Sequence, residues 1–293
     1  MSTVIIKSDK DSFERIINAG FERQGIHVIP IESIVNEKTG IAKINCIIKA
    51  LCKLKKDESI EKIIVFDDTT FYVVALLFFS NSFLWLWNTL PETKGNRLKI
   101  PFCRQFGNVY SFDMNDCEKY KLYSNTQFMI DYEVKDQEEQ QDIYFVGTDK
   151  GRYDILNRVY EFCERNSITT CFHMIPDVGK QYNSAVITDH FIEYTEVLKN
   201  IANSRAVLDI CKPGQTGCTY RAMEALLFNK KIITNNSLYY NLDFYSPEMI
   251  FVIDEECINL EKIIGFIQKE SPGYSQGIKE KYRIPYWIKR FAR

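Results

Sequence analysis

Short apolar runs alternate along the chain with segments in which apolar residues recur every three or four positions. Residues 3–7 form the first such run, and Phe13, Ile17 and Phe21 follow it at helical spacing. Short runs of this kind are typical of buried parallel strands, and the segments between them are typical of crossover helices. In the first half the predicted strands are 3–7, 27–31, 62–66, 83–87, 109–112 and 125–130, and the further predicted helices are 41–54, 71–79 and 113–120.

An acidic, polar stretch without periodicity, residues 131–141, separates this series from a second one and predicts a linker. We therefore predict two Rossmann-like α/β domains that face a cleft, residues 1–135 and residues 136–293. In the second domain the predicted strands are 142–146, 169–174, 206–210, 232–234 and 250–253, and the predicted helices are 153–165, 195–202, 220–228, 257–269 and a C-terminal docking helix, 282–291.

Composition narrows the function classes. The net charge of −2 argues against nucleic acid as a partner, because such proteins usually carry a basic patch. The nine cysteines include no Cys-x-x-Cys pair, which favours free thiols in a reducing cytosol over disulfides or a zinc site. The chain opens directly into a strand, so we expect no signal peptide. The apolar stretch 71–90 is interrupted by polar residues and predicts core packing rather than a membrane span.

The loop 212–217 contains Pro213, Gly214 and Gly217 and leads into the predicted helix 220–228. A glycine-containing loop at a helix N-terminus can bind phosphate through its backbone N–H groups. An ordinary crossover that binds no ligand is the alternative. A second glycine-containing loop, 147–152, follows the first strand of the second domain, where Lys150 and Arg152 could neutralise a leaving diphosphate.

Arg221 and Glu224 lie three residues apart, so they share one face of the predicted helix. They could form an ion pair within the helix, or Arg221 could bind a diphosphate while Glu224 accepts from a ribose hydroxyl. The predicted nucleotide-binding residues are Gly147, Thr148, Lys150, Arg152, Gln215, Thr216, Gly217, Thr219, Arg221 and Glu224.

Asp67, Asp68 and Asn88 end two predicted strands of the first domain. A carboxylate there could take the proton of an acceptor hydroxyl, so these are the candidate catalytic residues. Aspartate and asparagine are also common turn residues. No clustering of His, Cys and carboxylates along the sequence resembles a metal site, so we expect neither a metal nor a cofactor.

The segment Glu224-Ala225-Leu226, which a turn and the strand 232–234 follow, resembles a motif of retaining GT-B glycosyltransferases. In that class the glutamate binds the donor nucleotide's ribose. The sequence is also similar to bacterial lipopolysaccharide and capsule biosynthesis proteins near the CgeB-like group, and the similar segments are 87–88, 110–120, 144–152, 215–226 and 243–245.

The resemblance implies a cytoplasmic, metal-independent glycosyltransferase. It would bind a nucleotide-sugar donor in the second domain and a surface-glycan acceptor, an oligosaccharide or a lipid-linked glycan, in the first. A lipid-linked acceptor would bring the protein into peripheral contact with the inner face of the membrane. Many retaining enzymes of the class carry another glutamate eight positions before the ribose-binding one, and here Thr216 occupies that position. A nucleotide- or glycan-binding protein without transfer activity is therefore the alternative.

Overall fold

The computed structural model describes residues 2–91, 93–133, 139–254 and 259–292. Within these residues the strands are β1 (Ser2–Lys7), β2 (His27–Pro30), β3 (Ile60–Phe66), β4 (Ser82–Leu86), β5 (Asn108–Ser111), β6 (Tyr123–Ser124), β7 (Gln141–Thr148), β8 (Thr170–Ile175), β9 (Ser204–Asp209), β10 (Lys231–Thr234) and β11 (Ile250–Val252). The α-helices are α1 (Ser12–Arg23), α2 (Ile31–Val35), α3 (Gly40–Leu54), α4 (Thr69–Leu76), α5 (Lys94–Gln105), α6 (Met114–Tyr120), α7 (Tyr153–Arg165), α8 (Tyr194–Ala202), α9 (Tyr220–Leu227), α10 (Glu261–Gln268), α11 (Gln276–Tyr282) and α12 (Ile284–Lys289).

The chain divides into two compact units. The first unit comprises Met1–Ile130 and Ile284–Arg293, and the second comprises Asp131–Arg283. The sequence prediction assigned the C-terminal helix to the second domain, whereas the structure places residues 284–293 in the first unit. The predicted boundary between residues 135 and 136 lies outside the described residues.

The first unit is built on a parallel sheet with the order β2-β1-β3-β4-β5-β6. Strand β1 pairs with β2 on one side and with β3 on the other, so the chain reverses its direction of winding between β1 and β3. Ligands of open α/β sheets bind outside the carboxyl ends of the strands at such a switch point. In the first unit these ends carry Lys7 and Asp67.

Aspartates that follow the strands start several helices of the first unit. Asp68 accepts a hydrogen bond from the backbone N–H of Phe71 and caps α4, and Asp113 caps α6 in the same way through Asp116. Such caps satisfy N–H groups that have no partner inside the helix. The two caps allow α4 and α6 to begin three residues after the ends of β3 and β5.

Trp287 explains why the C-terminal residues belong to the first unit. Its side chain is fully buried, lies 5.5 Å from the ring of Trp85 and 4.6 Å from that of Phe128, and donates a hydrogen bond of 2.9 Å to the carbonyl of Thr126. Lys62 donates to the carbonyls of Ile288 and Phe291 and satisfies the end of α12. Aromatic burial of this size outweighs the proximity in sequence to α11.

The second unit has a parallel sheet with the order β11-β10-β9-β7-β8, in which β7 pairs with both β8 and β9. It repeats the winding of the first unit, and its switch point lies between β7 and β9. Its core joins strand and helix residues, among them Phe145, Leu156, Leu208 and Ile263, all fully buried. The prediction of an α/β fold of two Rossmann-like units is confirmed.

The structure differs from the sequence prediction in several local elements. Residues 125–130 do not form a full strand, because the pairing with β5 ends at Ser124. Helices α2, α5 and α11 were not predicted. The predicted helix 257–269 is observed as Glu261–Gln268, and its first residues lie outside the described part. None of the helices in the described ranges combines the length and the apolar character needed to cross a bilayer.

Candidate functional site

Asp209 is the buried centre of a polar network at the carboxyl end of β9. Its carboxylate accepts a hydrogen bond of 2.8 Å from the Thr219 hydroxyl and a short one from the Tyr239 hydroxyl, and it lies 3.7 Å from Nη1 of Arg221. A buried carboxylate needs such partners, because it has lost its hydration. Asp209 therefore fixes the start of α9 and the guanidinium of Arg221 at the switch point between β7 and β9.

Arg221 and Arg152 lie over the same aromatic ring. Their guanidinium carbons are 5.1 and 5.4 Å from the centre of the Phe145 ring. Arg152 donates to the carbonyls of Asp149, Thr148 and Ile210, and Arg221 donates to the carbonyl of Val146. The Nε atom of Arg221 is buried and has no hydrogen-bond partner among the described residues.

Four cationic side chains lie near the carboxyl ends of β7 and β9. They are those of Lys150, Arg152, Lys212 and Arg221. Burial, together with the charge of Arg221, lowers the pKa of Arg152 to about 10. Lys150 is exposed, but the surrounding protein still removes enough water to lower the pKa of its ammonium, and the charges of Lys212 and Arg152 act in the same direction. This mutual repulsion marks a place that an anion would stabilise.

Asp149 holds the loop between β7 and α7, although the sequence interpretation did not select it. Its fully buried carboxylate accepts from the backbone N–H groups of Arg152 and Tyr153, from Tyr182 at 2.6 Å and from Lys180 at 3.1 Å. Burial alone would raise its pKa, but the hydrogen bonds from Tyr182 and Lys180 outweigh burial and lower it. The carboxylate gives the loop a fixed shape.

Gly147 lies beside Arg152 near the end of β7. A Cβ atom at this position would lie 3.0 Å from Nη2 of Arg152 and 3.7 Å from Nη2 of Arg221, and the residue has a φ of +158°. A side chain would therefore displace the Arg152 guanidinium. Thr148 contributes its carbonyl oxygen to the same guanidinium.

The loop before α9 is anchored at both ends. The N–H of Gln215 donates to the carbonyl of Lys212, and the carbonyl of Thr216 accepts from the side-chain amide of Asn236. Gly217 is buried. Thr219 occupies the N-cap position of α9, but its hydroxyl donates to Asp209 and makes no capping hydrogen bond. The first N–H groups of α9 therefore donate no hydrogen bond to the Thr219 side chain.

Glu224 lies one turn further along α9 and is 7% exposed. The Tyr194 hydroxyl donates a hydrogen bond of 2.7 Å to its Oε1 atom. Burial raises the pKa of Glu224 to about 7, although the Arg221 charge and the Tyr194 hydrogen bond act in the opposite direction. The structure thus brings together Gly147, Arg152 and Arg221 around one aromatic ring, with Asp209 joining Thr219 to Arg221.

Asp67 occupies the switch point of the first unit with an unusual backbone. Its φ is 55°, a left-handed conformation that costs energy in a residue other than glycine. Its carboxylate accepts from the backbone N–H of Trp87 at 2.8 Å and from the Asn88 amide at 3.0 Å. Although Asp67 is exposed, the surrounding protein removes enough water to raise the pKa of its carboxyl despite these hydrogen bonds. Asp67 and Asn88 are therefore neighbours, as their positions at strand ends suggested.

Asp68 has other partners. Its Oδ1 atom caps α4 and its Oδ2 atom lies 2.6 Å from the Lys43 ammonium. These contacts give it a structural role, and its catalytic role stays a prediction. The sequence analysis did not select Lys7, which ends β1 with 1% exposure, lies 4.7 Å from the centre of the Trp87 ring and 3.7 Å from Glu14.

Asp209, Asp149 and Lys7 share one signal that the sequence contains. Each is a charged residue at the carboxyl end of an apolar strand, where an unpaired charge would be costly. Among the described residues, no group of three His, Cys, Asp or Glu side chains could hold a metal ion. The absence of a metal requirement stays a prediction.

No family model matches the chain, and no curated protein matches its sequence. Several solved structures are similar in fold. UDP-GlcNAc 2-epimerase from Neisseria meningitidis, bound to UDP-GlcNAc, has a TM-score of 0.51 at 11% identity, over 99% of this chain and 100% of that chain. The epimerase from Methanocaldococcus jannaschii has a TM-score of 0.50 at 11% identity, over 99% of this chain and 98% of that chain.

The DNA-modifying enzyme β-glucosyltransferase, solved with and without uridine diphosphoglucose, has a TM-score of 0.50 at 10% identity, over 99% of this chain and 95% of that chain. At these identities the similarity establishes the fold. The chain has the GT-B-type fold of two parallel-sheet Rossmann-like units.

Proposed function

We propose that the protein binds a nucleotide-sugar in its second unit and transfers the sugar to a glycan acceptor. One observation carries the proposal: Arg152 and Arg221 lie over the Phe145 ring at the switch point of the sheet, with Lys150 and Lys212 beside them. The solved structures of similar fold include enzymes that act on UDP-GlcNAc and uridine diphosphoglucose.

A diphosphate suits this place for three reasons. The cations repel one another, so a dianion between them removes an unfavourable interaction. The Nε atom of Arg221 is a buried donor without a partner, and phosphate oxygens accept such hydrogen bonds. The N-terminus of α9 adds backbone N–H groups that Thr219 does not cap.

The same cations would act on the reaction. Negative charge develops on the diphosphate as the bond to the sugar breaks, and fixed positive charges stabilise it without reorganising. Lys150, Arg152, Lys212 and Arg221 would therefore favour departure of the nucleotide. Gly147 and Thr148 would allow the phosphate to approach the backbone, together with Gln215, Thr216 and Gly217.

Glu224 would bind the ribose. Tyr194 occupies its Oε1 atom, which leaves Oε2 as the acceptor for a ribose hydroxyl. A hydroxyl can also accept from the protonated acid, so binding would be possible on both sides of the raised pKa. Asp67, oriented by Asn88 and the Trp87 N–H, would take the proton of the acceptor hydroxyl in the first unit.

The acceptor that we propose is a bacterial surface glycan, of lipopolysaccharide or capsule type, either free or lipid-linked. A lipid-linked acceptor implies a cytoplasmic protein that works at the inner face of the membrane. This part of the proposal rests on the resemblance of the sequence segments.

Isomerisation of a nucleotide-sugar is a second candidate, since two of the structures with similar fold are UDP-GlcNAc 2-epimerases. Both activities use the same diphosphate site. They differ in the product: transfer releases a nucleoside diphosphate only when an acceptor is present, whereas epimerisation changes the sugar without an acceptor.

Calorimetric titration with UDP, GDP, CDP and ADP tests the shared site. We expect one of them to bind the wild-type protein and to bind Arg221→Met about 10 to 100 times more weakly, because charge-assisted hydrogen bonds to phosphate are lost. Arg158→Met, an exposed position on α7, is the matched control. Equal affinity of the wild type and Arg221→Met, with both proteins folded, contradicts the proposal. Chromatography of nucleotide-sugars incubated with and without glycan acceptors then separates transfer from epimerisation.

A further inference from the structure

Helix α5 lies on the first unit with little of its surface buried. Thr93 caps it by accepting from the N–H of Asn96, and within the helix the buried residues are Ile100 and Cys103. These two residues are three positions apart, so they attach one face of the helix to the core. The opposite face is open to solvent.

That open face is apolar. Leu98 is 75% exposed and Phe102 is 49% exposed within α5, and Phe106, which follows the helix as its C-cap, is 54% exposed. Residues spaced by four positions lie above one another on a helix, so these three form a single stripe. Phe102 and Phe106 contact each other, with ring centres 4.9 Å apart. Exposed stripes of large apolar residues usually mark a surface that binds something.

The charged residues within α5 itself have one sign. Lys94, Arg97, Lys99 and Arg104 lie in α5, whereas residues 93–112 contain no aspartate or glutamate, in a chain whose net charge is −2. The Nε atom of Arg104 donates to the carbonyl of Lys121, which places a further lysine beside the end of the helix. A basic helix with an apolar stripe is the pattern of a helix that lies in a membrane interface.

We propose that the outward face of α5 docks the protein on an anionic lipid surface. Leu98, Phe102 and Phe106 enter the boundary between headgroups and acyl chains, and the four cations of the helix attract anionic headgroups. An acidic protein could satisfy the charges. However, an apolar stripe one residue wide and about two turns long suits the acyl boundary, which needs no complementary pocket.

The position of α5 beside the sheet connects the proposed membrane contact with the proposed acceptor site. The helix follows β4, whose carboxyl end leads to Asn88, so α5 begins at the edge of the sheet that carries Asp67. A lipid-linked acceptor held in the same surface would have its glycan near this edge. The docking itself rests on the helix and not on the proposed sugar transfer.

Flotation of the full-length protein with lipid vesicles tests the inference without any nucleotide or glycan. We expect the wild type to float with phosphatidylcholine vesicles that contain about 30% phosphatidylglycerol, and to be released at about 0.5 M salt, where surface charge is screened. The variant Leu98→Ser/Phe102→Ser/Phe106→Ser should bind at least about tenfold more weakly because the apolar contact is lost. Lys94→Glu/Lys99→Glu should lose the preference for anionic over neutral vesicles.

Two control variants carry changes of the same kind at exposed positions elsewhere. Val178→Ser/Phe191→Ser removes two exposed apolar side chains of the second unit, and Lys53→Glu/Lys56→Glu reverses two exposed charges on and after α3. Both should float like the wild type. Failure of the wild type to float, or flotation of the serine triple variant at wild-type affinity, overturns the inference. Self-association of the wild type that is lost in the triple variant, without vesicle binding, overturns it in favour of a protein interface.

Discussion

The hydroxyl of Tyr194 donates a hydrogen bond of 2.7 Å to Glu224, and both side chains are buried between α8 and α9. The bond joins the helix before β9 to the helix after it. Because burial raises the pKa of Glu224 to about 7, the carboxyl exchanges its proton within the physiological range. Its charge state therefore depends on pH at the place where we propose the ribose.

We expect the contribution of Glu224 to the free energy of unfolding to decrease as pH rises from about 4.5 to about 7. In this range the folded protein holds a proton that the unfolded chain has released, so unfolding is favoured as pH rises. The difference between the ordinary pKa of 4.5 and the folded-state pKa of about 7 corresponds to a decrease of about 3 kcal/mol in the free energy of unfolding over that range. Urea unfolding of the wild type and of Glu224→Gln at several pH values measures the contribution.

In Glu224→Gln the decrease should be smaller by that amount, whereas Glu261→Gln, an exposed position in the first turn of α10, should behave like the wild type. Parallel pH profiles for the wild type and Glu224→Gln contradict the prediction.

We expect Gly147→Ala to weaken nucleoside diphosphate binding about tenfold or more. The added Cβ lies 3.0 Å from Nη2 of Arg152, so the guanidinium must shift from its position at the proposed phosphate site. Calorimetry gives the affinity, and thermal unfolding checks that the variant is folded. Gly277→Ala is the matched control, because a Cβ there has no heavy atom within 4 Å. Undiminished affinity in Gly147→Ala places the phosphate elsewhere.

We expect Asp67→Asn to lower kcat for transfer by about 100-fold or more, since it removes the proposed proton acceptor. Nucleoside diphosphate affinity should not change, because the nucleotide would bind the second unit. Asp68→Asn should instead lower stability by about 1 kcal/mol, the usual contribution of a helix cap, and leave kcat within a few-fold. Initial rates with a glycan acceptor and urea unfolding separate the two effects. A reversed pattern assigns the catalytic role to Asp68.

We expect Asp149→Ala to destabilise the protein by about 3 kcal/mol or more, because it removes a buried acceptor of four hydrogen bonds. Since its pKa is lowered, the wild-type carboxylate contributes stability above its ordinary pKa of 3.8, and this contribution is lost as the pH falls. Asp154→Ala, an exposed change on α7, provides the comparison in urea unfolding. A similar midpoint for both variants counts against the role of Asp149.

The fold follows from the sequence where periodicity and burial agree. Helix α7 begins and ends at the predicted residues, because its apolar positions recur at helical spacing. The sequence analysis did not predict helix α5, because this signal is absent there. Gly95 and Pro101 are poor helix residues, and its exposed Leu98 and Phe102 do not follow the pattern of a helix that buries one face.

The site could be predicted only in part. Loops at strand ends pointed to Arg152 and Arg221, since glycines and cations mark a phosphate site. Asp209 and Asp149 were missed, because a buried carboxylate and a turn residue look alike in sequence. Their roles depend on Thr219, Tyr239 and Tyr182, partners that are up to 33 residues away.

The burial of Trp287 in the first unit has a consequence for biosynthesis. A nascent chain reaches Ile130 long before residues 284–293 leave the ribosome, so the aromatic core around Trp85 and Phe128 stays incomplete during synthesis. The second unit is continuous in sequence and can fold first. The order of folding is then the reverse of the usual N-terminal-first order, because the first unit closes only after residues 284–293 have been synthesised.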